Sequence, residues 1–163
     1  MITPEGTQQF FEDIGVSLES TMPIIIGFFS LTEWMNGLRE LRVDSINKFK
    51  DILPNLQNMV QIDNEFKKLY LFSFGFAKTA GQKSMDVETA TALWQILLQD
   101  KYPHISSFLE FLQEVKPVKV INKDQWSNIL EFVKTVPVDL STYDDSSSWP
   151  VLLDDYVAWK RGK

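Results

Sequence analysis

The chain has 163 residues, of which 44% are hydrophobic and 13% aromatic, with no cysteine and a formal net charge of -6. That length supports one domain, residues 1–163, whose core holds about 70% of the surface exposed by the unfolded chain. The missing cysteines exclude disulfides, thiolate metal sites and a thioester-forming nucleophile, and the acidic balance argues against binding a nucleic-acid backbone, which needs clustered Lys and Arg.

No apolar run approaches the length of a membrane span, and Met1 is not followed by a secretory-type basic and hydrophobic segment. The chain reads as soluble and intracellular, with no membrane partner. Helical spacing recurs from end to end while β-branched alternation is rare, so the expected fold class is all-α. Thr3-Pro4 opens a first helix with Thr7, Phe10, Phe11 and Ile14 on one face, and Gly15 closes it. Ser17 or Ser20 can cap a second segment, Met22 to Ile26. Ser30-Leu31-Thr32-Glu33 is a capping box, and the helix it starts should bury Trp34, Met35, Leu38 and Leu41.

Asp44 caps a run from Ile46 to Leu53 that Pro54 helps to end. Ile62 to Ala77 forms a long helix, with Phe66, Leu69, Tyr70, Phe72, Phe74 and Phe76 as core residues. After a turn containing Gly81, Asp86 caps Val87 to Leu98, and Pro103 begins a helix carrying Phe108, Leu109, Phe111 and Leu112. Val118-Lys119-Val120 is the one strand-like triplet. It could pair with Ser84-Met85 as a two-strand bridge between helix pairs, like the linked loops of an EF-hand pair. Trp126, Ile129, Leu130 and Val133 fall at i, i+3, i+4 and i+7, so one helix can bury all four with Asp124 at its positive N-terminal end.

Between Asp139 and Asp155 stand five aspartates and no Lys or Arg, a density that invites a basic partner. Thr79 to Glu88 superficially suggests a calcium loop but lacks alternating oxygen ligands and a terminal glutamate in register. His104 is the only histidine and, without a second histidine or a cysteine, reads as a surface residue in the first turn of a helix. No nucleophile elbow and no phosphate-cradling glycine loop is present, so neither catalytic residues nor a metal or cofactor is expected.

The segments NKDQW, LEF, DLSTYD and SWPVLLDDYVAW in the last forty-odd residues resemble the C-terminal signature of the defective-in-cullin-neddylation family. Its PONY (potentiating neddylation) domain usually reads close to NKDQW, LEF, DLSNYD and AWPVLLDDFVEW. The resemblance extends through FSFGFAKTAGQK (Phe72 to Lys83), EWMNGLREL (Glu33 to Leu41) and PEGTQQFFEDIGV (Pro4 to Val16), and so covers nearly the whole chain. It departs where Pro23-Ile24-Ile25-Ile26 runs straight into Gly27-Phe28-Phe29: a segment of the family pattern is missing between Ile26 and Gly27, by deletion or by consecutive numbering across it.

The resemblance implies a compact bundle of EF-hand-like helix pairs and a scaffold-type co-ligase in cullin neddylation. In the family an Asp-Ala-Asp surface receives basic residues from the winged-helix end of a cullin, and the matching positions are Asp124, Ser148 and Asp154. Serine stands where the family has alanine, and Ser148 can cap the last helix by accepting from the Val151 N–H, because Pro150 has none to offer. Family positions lining a pocket for the acetylated N-terminal methionine of the neddylation conjugating enzyme match Thr7, Pro23, Ile26, Phe29, Phe76, Leu93 and Ile96, with a backbone carbonyl from Leu18. By spacing alone these apolar residues read as core, and the two aspartates as helix-start charges on a solvated face. A RING subunit would be an indirect partner, the chain a monomer, and its location the nucleus and cytoplasm. The alternative is a degenerate EF-hand-like regulatory module that binds an amphipathic helix of another target.

Overall fold

The structure is a computed structural model that describes residues 1–15 and 29–163. Among them the fold is helical, with a single two-stranded antiparallel sheet. The helices are α1 (Pro4–Asp13), α2 (Leu31–Glu40), α3 (Ile46–Met59), α4 (Asp63–Ala77), α5 (Val87–Leu98), α6 (His104–Val115), α7 (Lys123–Thr135) and α8 (Val151–Arg161), and the strands are β1 (Ser84–Asp86) and β2 (Val120–Asn122). The chain divides into two compact units, Met1–Leu69 and Tyr70–Lys163. The expected segment Met22 to Ile26 and the junction between Ile26 and Gly27 lie outside the described residues.

In the first unit, local chemistry sets the helix starts. Thr3 caps α1 by accepting from the Gly6 N–H at 3.3 Å, Pro4 needs no donor of its own in the first turn, and Gly15 beyond the end takes a φ of +80°. The capping box of α2 is complete: the Ser30 hydroxyl accepts from the Glu33 N–H at 3.1 Å, and the Glu33 carboxylate accepts from the Ser30 N–H at 2.8 Å. The Phe10 ring meets Trp34 edge-on at 4.8 Å and Phe49 at 5.0 Å, which knits α1, α2 and α3 together.

Several expectations for this unit are corrected. Met35 is exposed with Leu31, its neighbour one turn back, while Trp34, Leu38 and Leu41 occupy the adjoining half-buried stripe. Ser45, not Asp44, caps α3, accepting from the Lys48 N–H at 3.4 Å; Asp44 instead pairs with the Lys48 ammonium at 2.8 Å. Pro54 does not end α3, which continues to Met59. It lies on the exposed side, where the Lys50 carbonyl deprived of a donor can be hydrated. Along α4 the steps of four separate two faces: Phe66, Tyr70 and Phe74 are buried, whereas Leu69, Phe72 and Phe76 are exposed rather than core.

In the second unit, Asp86 caps α5, its carboxylate accepting from the Thr89 N–H at 2.8 Å, and β1 pairs with β2 in the register Ser84 to Asn122, Met85 to Ile121 and Asp86 to Val120. The second strand therefore starts two residues later than expected. Lys119 still contributes, because its carbonyl accepts from the Val87 N–H at 3.0 Å. Met85 and Ile121 point inward from the bridge and are fully buried. Trp126, Ile129, Leu130 and Val133 form the buried face of α7 as their spacing requires, with Phe132 added to it.

His104 is the largest correction. It is buried, not superficial, and both ring nitrogens are engaged: Nε2 lies 2.9 Å from the Pro137 carbonyl and Nδ1 2.9 Å from the Tyr156 hydroxyl. A carbonyl can only accept, so Nε2 carries the proton and Nδ1 accepts from Tyr156. Ser107 sits beside the same hydroxyl, and the Lys160 ammonium reaches Ser107 at 3.1 Å and Tyr156 at 3.3 Å. A histidine satisfied on both sides can stay in an apolar interior as a neutral ring.

Burial holds the His104 imidazole below its ordinary pKa, with the neighbouring Lys160 charge acting in the same direction against the Pro137 carbonyl. The folded state thus binds the proton less readily than the unfolded chain, and the stability contributed by neutral His104 is complete above about pH 6.5 and lost as pH falls through the depressed native value. Urea unfolding followed from pH 7.5 to 5 should show this loss in the native chain, and the corresponding slope should be missing from His104→Gln.

Candidate functional site

The acidic surface is built on the starts of two helices in the second unit. Asn122 caps α7 through a reciprocal box with Gln125, at 2.8 Å and 3.0 Å, so the first turn is rigid. Asp124 lies in that turn, exposed, where the helix dipole favours a negative charge. Its carboxylate accepts from the Asn128 amide at 3.0 Å, and the same amide donates to the Asp124 carbonyl at 2.9 Å.

Between α7 and α8 the chain runs through a loop in which Leu140 adopts a φ of +60° and keeps its side chain buried. The aspartates here are not equivalent. Asp139 accepts from the Ser141 N–H at 3.0 Å, and Asp144 from the Ser146 N–H at 2.8 Å and hydroxyl at 2.7 Å. Those bonds hold both carboxyls below the usual carboxylate range, the Ser141 N–H dominating for Asp139 and the Ser146 hydroxyl for Asp144. Asp145 pairs with Arg161 at 3.0 Å. Asp154, in the first turn of α8, receives the Tyr143 hydroxyl on one oxygen, and Asp155 is exposed with no partner among the described residues. Burial, reinforced by the Asp154 carboxylate, pushes the Tyr143 phenol above its ordinary pKa, so it remains a donor.

Ser148 does not cap α8. The cap position belongs to Pro150, and no side chain bonds the first-turn N–H groups. The physical reason is the proline: the residue before it is driven to extended backbone, and Trp149, whose ring packs edge-on against Phe132 at 5.5 Å, carries Ser148 away from the turn. Ser148 is left exposed. Among the described residues no hydrogen bond or ion pair joins Asp124, Ser148 and Asp154 to one another.

The residues expected for an apolar pocket fall in three groups. In the first unit Thr7 is buried, its hydroxyl donating to the Thr3 carbonyl at 3.1 Å, and Phe29 is half-buried, bridged to Ile2 by two backbone bonds of 2.7 Å and 3.1 Å. In the second unit Leu93 is buried on α5, while Phe76, stacked on Phe72 at 5.9 Å, and Ile96 are 46% and 38% exposed and so present apolar surface to water. Leu18, Pro23 and Ile26 lie outside the described residues. Tyr143 is the residue of this acidic surface that the sequence does not point to. The DLSTYD segment contained it, but nothing in the spacing connects it to a carboxylate eleven residues on.

Residues 48–159 match the protein family described as Cullin binding, a span that includes Asp124, Ser148 and Asp154 together with Phe76, Leu93 and Ile96. The chain belongs to the cullin-binding family of DCN1-like proteins. It is 42% identical to DCN1-like protein 4 of Drosophila melanogaster over 97% of this chain and 67% of that protein. It is 38% identical to human DCN1-like protein 4 over its full length and 59% of the relative, and 37% identical to human DCN1-like protein 5 over 99% of this chain and 71% of the relative. The chain thus spans about six to seven tenths of the length of these curated relatives. Among its described residues no group of three or more His, Asp or Glu is placed to hold a metal ion, and no helix is long and apolar enough to cross a membrane.

Because its hydroxyl bonds to nothing in the first turn of α8, Ser148 contributes little to the helix. Ser148→Ala should change the unfolding free energy by less than about 0.5 kcal/mol, against the roughly 1 kcal/mol typical of a lost cap. Matched denaturant melts of the two chains decide between these values.

Proposed function

We propose that the chain is a scaffold-type co-ligase in cullin neddylation, acting over residues 1–163 as one PONY domain. It binds the winged-helix end of a cullin through Asp124, Ser148 and Asp154, and the N-acetylated neddylation conjugating enzyme through the apolar residues Thr7, Leu18, Pro23, Ile26, Phe29, Phe76, Leu93 and Ile96. The observation that carries this reading is the placement of two exposed carboxylates at the starts of α7 and α8, inside the cullin-binding match. Basic side chains of the partner complement both the carboxylates and the net charge.

The chemistry asked of the chain is positional. Holding a thioester donor beside an acceptor lysine replaces a bimolecular encounter with a local one and raises the effective concentration, so no proton-transfer residue of its own is required. A RING subunit supplies the activating contact with the conjugating enzyme. Selection of an acetylated methionine follows from desolvation. A free ammonium buried unpaired costs several kcal/mol, whereas an acetyl amide needs one or two hydrogen bonds. The reading places the protein in the nucleus and cytoplasm as a monomer.

Charge reversal tests the first contact: Asp124→Lys and Asp154→Lys should each weaken binding of a purified cullin C-terminal domain by about tenfold or more in calorimetric titration. Unchanged affinity would remove the acidic surface from the reading. For the second contact, an acetylated peptide from the conjugating enzyme's N-terminus should bind about a hundredfold or more tighter than its free-amine counterpart, and equal binding would defeat the desolvation account.

A further inference from the structure

Five aspartates crowd the last part of the chain, yet their carboxylates face different fates. Asp139 and Asp144 are turned back on their own loop by N–H groups two residues ahead, Asp145 is neutralised by Arg161, and Asp155 projects with nothing to hold it. Asp154 is exposed as well, but it differs from the others in being held by a buried side chain and not by its own loop's amides or a surface cation. One oxygen is held by the Tyr143 hydroxyl, and the other is left for solvent or a partner.

The donor that holds it is itself immobile. The Tyr143 ring is 9% exposed, meets Phe132 edge-on at 6.0 Å, and is covered on its face by the Arg161 guanidinium at 5.4 Å from the ring centre. Arg161 reaches across to Asp145 at the same time, so the cation clamps ring and loop together and leaves the Asp154 carboxylate uncompensated. A side chain already confined to one rotamer loses less entropy when a partner's cation arrives, which is how rigid supporting residues raise affinity without touching the ligand.

We infer that Tyr143 is a positioning residue of the acidic surface: its hydroxyl holds Asp154 in the orientation that meets a basic side chain of the cullin. This rests on the cullin-binding reading of Asp154. It also implies that affinity follows the orientation of one carboxylate more than the number of aspartates in the loop. Because Tyr143→Phe leaves every formal charge in place, electrostatic steering of the encounter stays as it was, and the effect appears in the dissociation rate.

The test is a double-mutant cycle with a purified cullin C-terminal domain, using Tyr143→Phe, Asp154→Ala and both together, read by surface-plasmon kinetics. Tyr143→Phe alone should raise the dissociation constant about three- to tenfold, nearly all in the off-rate, and should have no further effect in the Asp154→Ala background. Tyr143→Phe binding like the native chain while Asp154→Ala weakens it would overturn this inference and leave the cullin reading standing. An equal loss from Tyr143→Phe in both backgrounds would also overturn it, because the tyrosine would then act by another route. Asp154→Ala without effect would overturn the cullin reading of that residue and this inference with it. Near-ultraviolet circular dichroism of each variant, unchanged from the native chain, excludes a folding defect as the source of the loss.

Discussion

Burying an indole deprives its N–H of water, and the second unit of this chain buries two of them against one tyrosine. Trp94 donates to the Tyr70 hydroxyl at 2.9 Å, Trp126 donates to the Tyr70 carbonyl at 2.9 Å, and the Tyr70 hydroxyl donates onward to the Trp126 carbonyl at 2.8 Å. The rings of Tyr70 and Trp126 stack at 4.5 Å, and those of Trp126 and Trp94 at 5.2 Å. Every polar atom in this cluster has a partner, so a large aromatic mass can sit in the interior without an unsatisfied group, and α4, α5 and α7 are fixed to one another by direction as well as by volume. Trp126 lies two residues after Asp124. The position of that carboxylate is therefore set by the core beneath it.

The outer surface follows a related logic with charges in place of indoles. A loop with several carboxylates repels itself unless each finds a donor, and here the loop's own amides, one arginine and one phenol take most of them. The amides and the phenol orient their carboxylates without neutralising them, and among the described residues Asp145 alone of the five is paired with a cation. Net charge and aspartate density suggest a basic partner, but they do not say which oxygens are free to meet it.

The difference between what could and could not be read from the sequence is one of range. Thr3, Ser30, Asp86 and the Trp126 to Val133 stripe act within one or two turns, and the structure agrees with them closely. The burial of His104 is not legible locally, because its partners, Pro137 and Tyr156, are 33 and 52 residues away and no local pattern encodes them. Pro54 resembles a helix end in the sequence because its missing N–H is a local cost, whereas the exposed side that tolerates it is a tertiary property. Likewise the distance from Ser148 to Val151 suggests a cap, whereas the extended backbone favoured before Pro150 and the docking of Trp149 place it elsewhere. For the proposed site, the family resemblance points to Asp124 and Asp154 but not to the residue that holds Asp154, because a contact between a loop and the next helix has no period.

Trp94 and Trp126 are nearly parallel, with ring planes 17° apart. At a centroid separation of 5.2 Å the two indoles are close enough for their ultraviolet transitions to couple, so the circular dichroism there responds to their mutual orientation. Trp34, Trp149 and Trp159 are only half-buried and add ordinary signals. The molecule thus carries a built-in spectroscopic gauge, free of any dye, of whether the ground on which its acidic face stands is still intact.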